Sequence, residues 1–219
     1  MNNISKLSRR EREKLQRHND ILESATKLFF EKPYDNVSMD DIAQELELSK
    51  ATLYLYFKNK QSLYFAVVLE GMKILHTTLQ NAKGKGKTGL DQILTMADAI
   101  YSYMSSYGNY YKLNLASRSP RFQVMMQQGE IENIAEYVEL TQQLFSVIED
   151  SLKLGITDGS IRSDIEPKKA TMFLGSAIES SVLPAPEYEL LFQSEHISKR
   201  EYFEHSITLL LQGMSTKKT

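Results

Sequence analysis

The chain has 219 residues, of which 42% are hydrophobic and 25% charged, and its formal net charge is −2. This length allows one large domain or two small ones. The absence of cysteine excludes disulfides and thiolate metal sites, and it favours a reducing compartment. No stretch reaches the roughly 18 apolar residues that a membrane helix needs, and the N-terminus has no signal-peptide pattern. We therefore expect a cytoplasmic protein without a membrane partner.

Charge is distributed unevenly along the chain. Residues 1–18 contain six basic and two acidic residues, a local charge of +4, and residues 49–60 contain three lysines and no acid. Residues 71–219 hold 15 basic and 17 acidic residues. A basic end on a neutral-to-acidic body is typical of a protein that meets phosphate with one face, although basic tails are also common as solvated segments.

Amphipathic helical spacing marks the N-terminal part of the chain. A first helix is predicted by the apolar stripe Ile21, Ala25, Leu28 and Phe29. It ends before Pro33, because the residue that precedes a proline avoids helical backbone angles. Capping residues predict three further helices, with Ser38 before 39–46, Ser49 before 50–57 and Asn59 before 60–80.

The rest of the chain also has helical patterns. Residues 83–89 are rich in glycine and lysine and predict a flexible linker; they lack the strand and the first glycine of a phosphate-binding loop. Glycine and proline breaks then separate predicted helices near 90–106, 108–117, 121–128, 130–154, 167–183 and 198–213. No strand pattern is present, so the sequence predicts an all-α fold.

The stretch 38–60 carries the functional signal. A helix of about eight residues, a tight turn and a second short helix form helix-turn-helix geometry. We predict that Leu53 and Phe57 pack inward. The outward positions, small or polar as a helix entering the major groove requires, are Lys50, Ala51, Thr52, Leu55 and Tyr56. A lysine and an aromatic hydroxyl near this helix suit phosphate oxygens.

This stretch resembles the DNA-binding domain of the TetR family of transcriptional regulators. The pattern S-K-x-T-L-Y-x-Y-F-x-x-K-x-x-L runs from Ser49 to Leu63, and A-x-x-L-F runs from Ala25 to Phe29. Ile-Ala at 42–43 also agrees, so the resemblance covers residues 20–66. Pro33 and Glu47 stand where the family usually has glycine. Proline still ends a helix, whereas Glu47 must adopt the turn conformation at a cost on the order of 1 kcal/mol.

The resemblance implies a helix-turn-helix DNA-binding domain of three helices at residues 1–66, with a basic N-terminal arm, and a helical ligand-binding and dimerisation bundle at residues 67–219. It assigns phosphate contacts to Thr52, Tyr56 and Lys60, base edges to Lys50, Ala51 and Leu55, and neighbouring positions to Ser38, Met39, Ser49 and Tyr54. Three alternatives stay open. Tyr54 packs against a neighbouring helix, Lys50 touches phosphate alone, and the arm adds minor-groove or backbone contacts.

Tyrosines and methionines crowd residues 96–126. Such side chains line adaptable apolar pockets, although each one alone is as readily an ordinary residue of a helical bundle. The predicted ligand pocket comprises Met96, Ile100, Tyr103, Met104, Tyr107, Tyr111, Met125, Phe145 and Phe173.

The last two long predicted helices resemble the dimer-forming pair of the family. Two copies would form a four-helix interface about a two-fold axis, which places two recognition helices on two half-sites. The predicted dimer interface comprises Phe173, Ala177, Ile178, Phe203, Ile207, Leu210 and Leu211.

The sequence therefore predicts a TetR-like homodimeric repressor that a small-molecule effector releases from a palindromic double-stranded DNA operator by shifting helix 60–80. The alternative is a ligand-independent DNA-organising or partner-recruiting protein. We do not expect an enzyme, a metal or a cofactor, because the four histidines are scattered and no G-x-S-x-G elbow or cysteine nucleophile is present.

Overall fold

The computed structural model describes residues 8–216. The α-helices in this range are α1 (Arg9–Glu31), α2 (Met39–Glu45), α3 (Lys50–Tyr54), α4 (Lys60–Lys83), α5 (Gly89–Ser106), α6 (Gly108–Ser117), α7 (Pro120–Gln127), α8 (Ile134–Thr157), α9 (Pro167–Val182), α10 (Glu189–Ser194) and α11 (Lys199–Met214). Short 3-10 turns lie at Tyr34–Asn36 and Pro186–Tyr188. No β-strand occurs among these residues, and Ile161 and Ser215 form an isolated antiparallel bridge. The predicted all-α class is confirmed.

The predicted helices differ from the structure at several points in the C-terminal part of the chain. α8 begins at Ile134, whereas the pattern predicted a helix from residue 130. The short helix α10 lies inside the stretch 184–194, which was predicted to be a break. α10 lacks a side-chain cap and leaves Leu190 and Leu191 exposed, so it has neither the capping signal nor the apolar stripe that predicts a helix.

The helices gather into two compact units. Unit 1 contains the described residues up to Met72 together with Asn109–Val138, and unit 2 contains Lys73–Gly108 and the described residues from Glu139 onward. α4 and α8 therefore contribute residues to both units. The predicted boundary between residues 66 and 67 divides a DNA-binding domain from a ligand-binding and dimerisation domain, and it stays a prediction. The compact units divide elsewhere, because residues 109–138 fold with unit 1.

The core of unit 1 follows the predicted stripe of α1. Ile21, Ala25, Leu28 and Phe29 are buried, as are Ile42 of α2 and Leu53 of α3. An aromatic cluster continues this core: the Tyr64 ring of α4 stacks on the Phe122 ring of α7 with centroids 5.0 Å apart. Segments far apart in sequence are thus joined by side chains that each remove a large apolar area from water.

The core of unit 2 is formed by α5, α9 and α11, which pack on one another. The side chains that fill it include Ile93, Met96, Leu174, Ile178, Phe203 and Ile207. Within residues 8–216, no helix combines the length and the apolar character required to cross a membrane.

The start of α5 requires a glycine. A Cβ atom on Gly89 would overlap the backbone nitrogen of Gly155 and the carbonyl oxygen of Ser151, both in α8. Neither backbone atom can move without shifting the helix. We expect Gly89→Ala to lower the free energy of unfolding by about 1–3 kcal/mol, the usual cost of overpacking a core.

Urea unfolding of the full chain followed by circular dichroism measures this change. Gly213→Ala in α11 is the control, because a Cβ there meets nothing within 4 Å. The control should be neutral or stabilising by up to about 1 kcal/mol, the difference in helix propensity. Equal midpoints for the two variants would contradict the close approach of α5 and α8.

Candidate nucleic-acid interface

Serine caps set the start of both helices of the helix-turn-helix. The Ser38 hydroxyl accepts a hydrogen bond from the backbone N–H of Asp41 at 3.1 Å, and the Asp41 carboxylate accepts one from the Ser38 N–H at 2.7 Å. These bonds hold the pKa of Asp41 below its usual range. The Ser49 hydroxyl accepts from the Thr52 N–H at 3.1 Å and begins α3. Both predicted caps are confirmed, with aspartate completing the first capping box.

The turn between α2 and α3 contains the expected strain. Glu47 has φ of 53°, in the left-handed region that glycine adopts without cost. The Leu48 N–H then donates to the Ala43 carbonyl at 2.8 Å and closes α2. α3 ends at Tyr54, earlier than predicted, because the N–H groups of Leu55 and Tyr56 bond carbonyls three residues back.

Two buried side chains hold α3 in unit 1. Leu53 is fully buried and Phe57 nearly so, as predicted, and the His18 ring of α1 lies 4.9 Å from the Phe57 ring. The opposite side of the α3 region faces solvent: Lys50, Ala51, Tyr54 and Leu55 are exposed and Thr52 and Tyr56 are half-buried. Leu55 is 79% exposed, so its methyl groups are free to contact a partner.

Tyr54 and Met39 occupy different surroundings. Tyr54 is 44% exposed, so it is neither a core residue nor fully solvated. Met39, predicted near the groove wall, is 6% exposed and belongs to the core of unit 1, whereas Ser38 next to it is exposed. The predicted position of Met39 near the groove wall is therefore wrong for its side chain, which the core of unit 1 covers.

Lys50 has a partner that sequence reasoning missed. Its ammonium group lies 2.9 Å from the Asp40 carboxylate of α2, and both side chains are exposed. The hydrogen bond to Asp40 raises the pKa of Lys50, so this side chain remains cationic. The two residues are ten positions apart on different helices, a separation that no local sequence pattern reports.

The Lys60 side chain, predicted to contact phosphate, forms hydrogen bonds inside unit 1. Its ammonium group donates to the carbonyl oxygens of Tyr34 at 2.9 Å and Val37 at 2.8 Å, and lies 4.0 Å from the Tyr34 ring centroid. Burial lowers the pKa of Lys60. Two of its three N–H donors are thus engaged by the turn before α2, and one remains for a further acceptor.

Residues 109–138 complete the frame around the helix-turn-helix. Arg121 of α7 forms an ion pair with Asp35 at 2.6 Å, and the Asn59 side-chain amide donates to the Glu130 carbonyl at 2.8 Å. The Ser62 hydroxyl accepts from the Glu132 N–H at 3.0 Å. Asn59 also caps α4 as predicted, accepting from the Ser62 N–H at 2.8 Å. The partners that residues 109–138 supply are 70 or more positions away along the chain, so sequence reasoning did not find them.

The described part of the basic N-terminal arm is helical. Residues 9–18 belong to α1, which starts at a capping box formed by Ser8 and Glu11. The sequence carries the signal for this start, a serine followed three residues later by a glutamate. The remaining residues of the predicted arm, 1–7, lie outside the described residues.

The structure divides the predicted ligand pocket. Tyr111 and Met125 belong to unit 1, and the other seven residues belong to unit 2. On α5, Met96, Tyr103 and Met104 are buried and Ile100 is half-buried, and Tyr107 directly after this helix is exposed. Phe145 and Phe173 are exposed on α8 and α9. Among residues 8–216, no three His, Cys, Asp or Glu side chains form a group that could hold a metal ion.

The predicted dimer-interface residues fall into two groups. Those packed inside unit 2 are Ile178, Phe203 and Ile207, and those with exposed or half-buried side chains are Phe173, Ala177, Leu210 and Leu211. Met172 and Leu209, which sequence reasoning missed, are 68% and 56% exposed on α9 and α11. The exposed apolar surface of these two helices is therefore shifted relative to the predicted set.

Comparison with known proteins identifies the N-terminal domain. Residues 21–67 match the family model for bacterial regulatory proteins of the tetR family. The chain is 27% identical over 143 residues, 65% of its length, to the Bacillus subtilis (strain 168) protein described as an uncharacterized HTH-type transcriptional regulator, YuxN. It is 33% identical over 87 residues, 40% of its length, to the Staphylococcus aureus (strain Newman) negative regulator IcaR of the biofilm operon icaADBC. These matches cover 45% and 43% of the two relatives.

The fold recurs in solved structures. A tetR-family regulatory protein from Rhodococcus RHA1 has a TM-score of 0.66 at 19% identity, covering 90% of this chain and 96% of that one. Bacillus subtilis FadR, solved with stearoyl-CoA, has a TM-score of 0.66 at 17% identity and covers 89% and 98%. Both support the predicted arrangement of an N-terminal helix-turn-helix followed by a C-terminal helical domain. Residues 21–67 of this chain thus carry the signature of the tetR family of bacterial regulatory proteins.

Proposed function

We propose that this chain is a DNA-binding transcriptional regulator, a homodimeric repressor that a small-molecule effector releases from its operator. The observation that carries the proposal is the surface of α3. This capped helix of five residues is anchored by one buried leucine, and Lys50 and Ala51 on it and Leu55 directly after it face solvent. An ammonium group matches guanine acceptors in the major groove, and apolar side chains match the thymine methyl group.

The phosphate contacts surround this reading surface. Thr52 and Tyr56 carry hydroxyl groups on half-buried side chains, so their positions are fixed by packing before DNA arrives. Lys60 adds one free N–H donor on an ammonium group that two carbonyls hold in place. Ser38, Ser49 and Tyr54 are exposed at the edges of the same surface.

Repression is supported by the likeness to IcaR, a negative regulator that this chain resembles over 87 residues. The effector is supported by the FadR structure, in which a chain of this fold binds stearoyl-CoA. In this chain we place the effector site on α5, where Met96, Tyr103 and Met104 supply apolar and hydroxyl groups. α4 is the transmission element, because one continuous helix contributes to both units.

A homodimer is supported by the exposed apolar side chains of unit 2. Met172 and Phe173 on α9 and Leu209 on α11 leave more than half of their surface in solvent. Large exposed apolar side chains on two packed helices are typical of an interface between subunits. A second copy also supplies the second recognition helix that a palindromic site requires.

DNA binding is measured by fluorescence anisotropy of the full chain with its own upstream intergenic DNA, beside a scrambled duplex and at two salt concentrations. We expect selective binding that weakens steeply with salt. Tyr56→Phe should weaken binding to all sequences alike, whereas Lys50→Ala should relax preference at one base position by about 1–3 kcal/mol. Failure of the wild-type protein to bind any duplex at low salt would refute the proposed function.

The Lys50–Asp40 pair generates a second prediction. Asp40→Asn frees the Lys50 ammonium and removes a negative charge beside α3, so DNA should bind several-fold more tightly at low salt, and this gain should shrink as salt screens the charges. Glu45→Gln is the matched control, because it removes one acid of α2 that pairs with Lys27 rather than with α3. Weaker binding by Asp40→Asn would mean that the carboxylate positions Lys50 for DNA.

The dimer is tested by a charge on the proposed interface. Phe173→Glu should convert the dimer into a monomer in sedimentation velocity, because a carboxylate buried between subunits lacks a partner. Leu190→Glu on α10 is the control, since Leu190 is 76% exposed and lies outside the proposed interface. If Phe173→Glu remains dimeric, or if the control dissociates instead, the interface lies elsewhere.

A further inference from the structure

The first half of α1 extends beyond the core of unit 1. The first buried residue of this helix is Ile21, and residues 9–17 are all exposed. At a rise of 1.5 Å per residue, these nine residues reach about 13 Å past the core. Because this segment buries no apolar face, core packing does not account for its sequence.

One face of the extension is basic. Arg10, Lys14 and Arg17 follow one another at intervals of four and three residues, so they form a single stripe along the helix, called the basic stripe below. The same spacing continues through Ile21 and Leu28 into the buried face. The face that packs on the helix-turn-helix is therefore apolar in the second half of α1 and cationic in the first.

The acids of this segment are engaged away from the stripe. Glu11 accepts the Ser8 N–H in the capping box at 2.8 Å, and Glu13 pairs with Arg9 at 2.7 Å. Within residues 8–216, Arg10 and Lys14 have no ion-pair partner, and Arg17 lies 3.9 Å from Asp20. The basic stripe thus keeps most of its charge available for an anion.

The basic stripe begins next to the candidate nucleic-acid interface. His18, one residue after Arg17, packs against Phe57 with ring centroids 4.9 Å apart, and Phe57 immediately follows the reading helix and its closing turn. From that contact the helix runs outward toward Arg10. Continuity with α3 and charge complementarity together favour one occupant, the phosphate backbone of the duplex that α3 reads.

We propose that the basic stripe is a second DNA-contact surface, which binds backbone phosphates beyond the base pairs that α3 contacts. This inference rests on the proposed function. Lysine and arginine side chains that contact only phosphate do not read the base sequence. The stripe therefore adds affinity and leaves selectivity to α3. A reach of about 13 Å corresponds to roughly four base pairs at 3.4 Å each.

Two double variants remove the same number of positive charges from different faces of α1, and so test whether the position of the cations decides DNA binding. Arg10→Gln/Lys14→Gln removes two cations from the stripe, and Arg9→Gln/Arg12→Gln removes two from other faces of the same segment. All four positions are exposed, and glutamine preserves helix formation, which circular dichroism checks. We expect the stripe variant to lower the slope of log affinity against log salt by about 0.9 for each phosphate that the protein no longer neutralises. The other variant should retain nearly the wild-type slope.

Duplex length provides a test on the wild-type protein. The upstream duplex that the protein protects is compared with one trimmed by about four base pairs at each end, as the reach of the stripe suggests. Trimming should weaken DNA binding by the wild-type protein and by the Arg9→Gln/Arg12→Gln variant but leave binding by Arg10→Gln/Lys14→Gln unchanged. Equal salt slopes for the two double variants, or an equal decrease in affinity on trimming for all three proteins, would overturn the basic stripe. Absence of selectivity for the full-length duplex in the wild-type protein would instead overturn the proposed function together with the stripe.

Discussion

The ammonium group of Lys60 is the interaction on which the candidate DNA surface depends. Lys60 is the first residue of α4, and its two carbonyl partners, Tyr34 and Val37, belong to the turn before α2. One cation therefore joins the segment before the helix-turn-helix to the segment after it. Both ends of the motif are fixed, and α2 and α3 are held between them. The Tyr34 ring covers this cation, and burial strengthens its hydrogen bonds by excluding competing water.

The frame around Lys60 extends to distant parts of unit 1. Tyr34 contacts the rings of Phe29, Tyr64 and Phe122, and burial raises the pKa of its hydroxyl to about 12, so this hydroxyl stays neutral. Arg121 pairs with Asp35 beside the same ring. A segment 86 residues further along the chain thereby supports the turn that starts α2. The geometry of the motif is set as much by α7 as by its own residues.

Sequence reasoning recovered what local chemistry determines. The serine caps, the strained Glu47, the inward Leu53 and Phe57, and most helix boundaries depend on residues within a few positions of one another. What it missed depends on tertiary approach: the Lys50–Asp40 pair, the contacts of residues 109–138, and the burial of Met39 and Ile178. Periodicity identifies an apolar face but not which neighbour covers it. For that reason three of the predicted dimer-interface residues are instead buried inside unit 2. The capping box formed by Ser8 and Glu11 is local as well, so the sequence is sufficient to predict the start of α1.

The two kinds of cation on this surface differ in how they are neutralised, and the difference bears on selectivity. Lys50 has a carboxylate at 2.9 Å, so it reaches DNA only by exchanging Asp40 for a better acceptor. An exposed ion pair is worth at most about 1 kcal/mol, which a matched base edge can outweigh, whereas Asp40 repels any phosphate that approaches without that match. Arg10 and Lys14 have no such competitor among the described residues and attract phosphate anywhere along a duplex. Under the proposed function, the unpaired cations of α1 supply affinity, and the paired cation of α3 makes that affinity conditional on sequence.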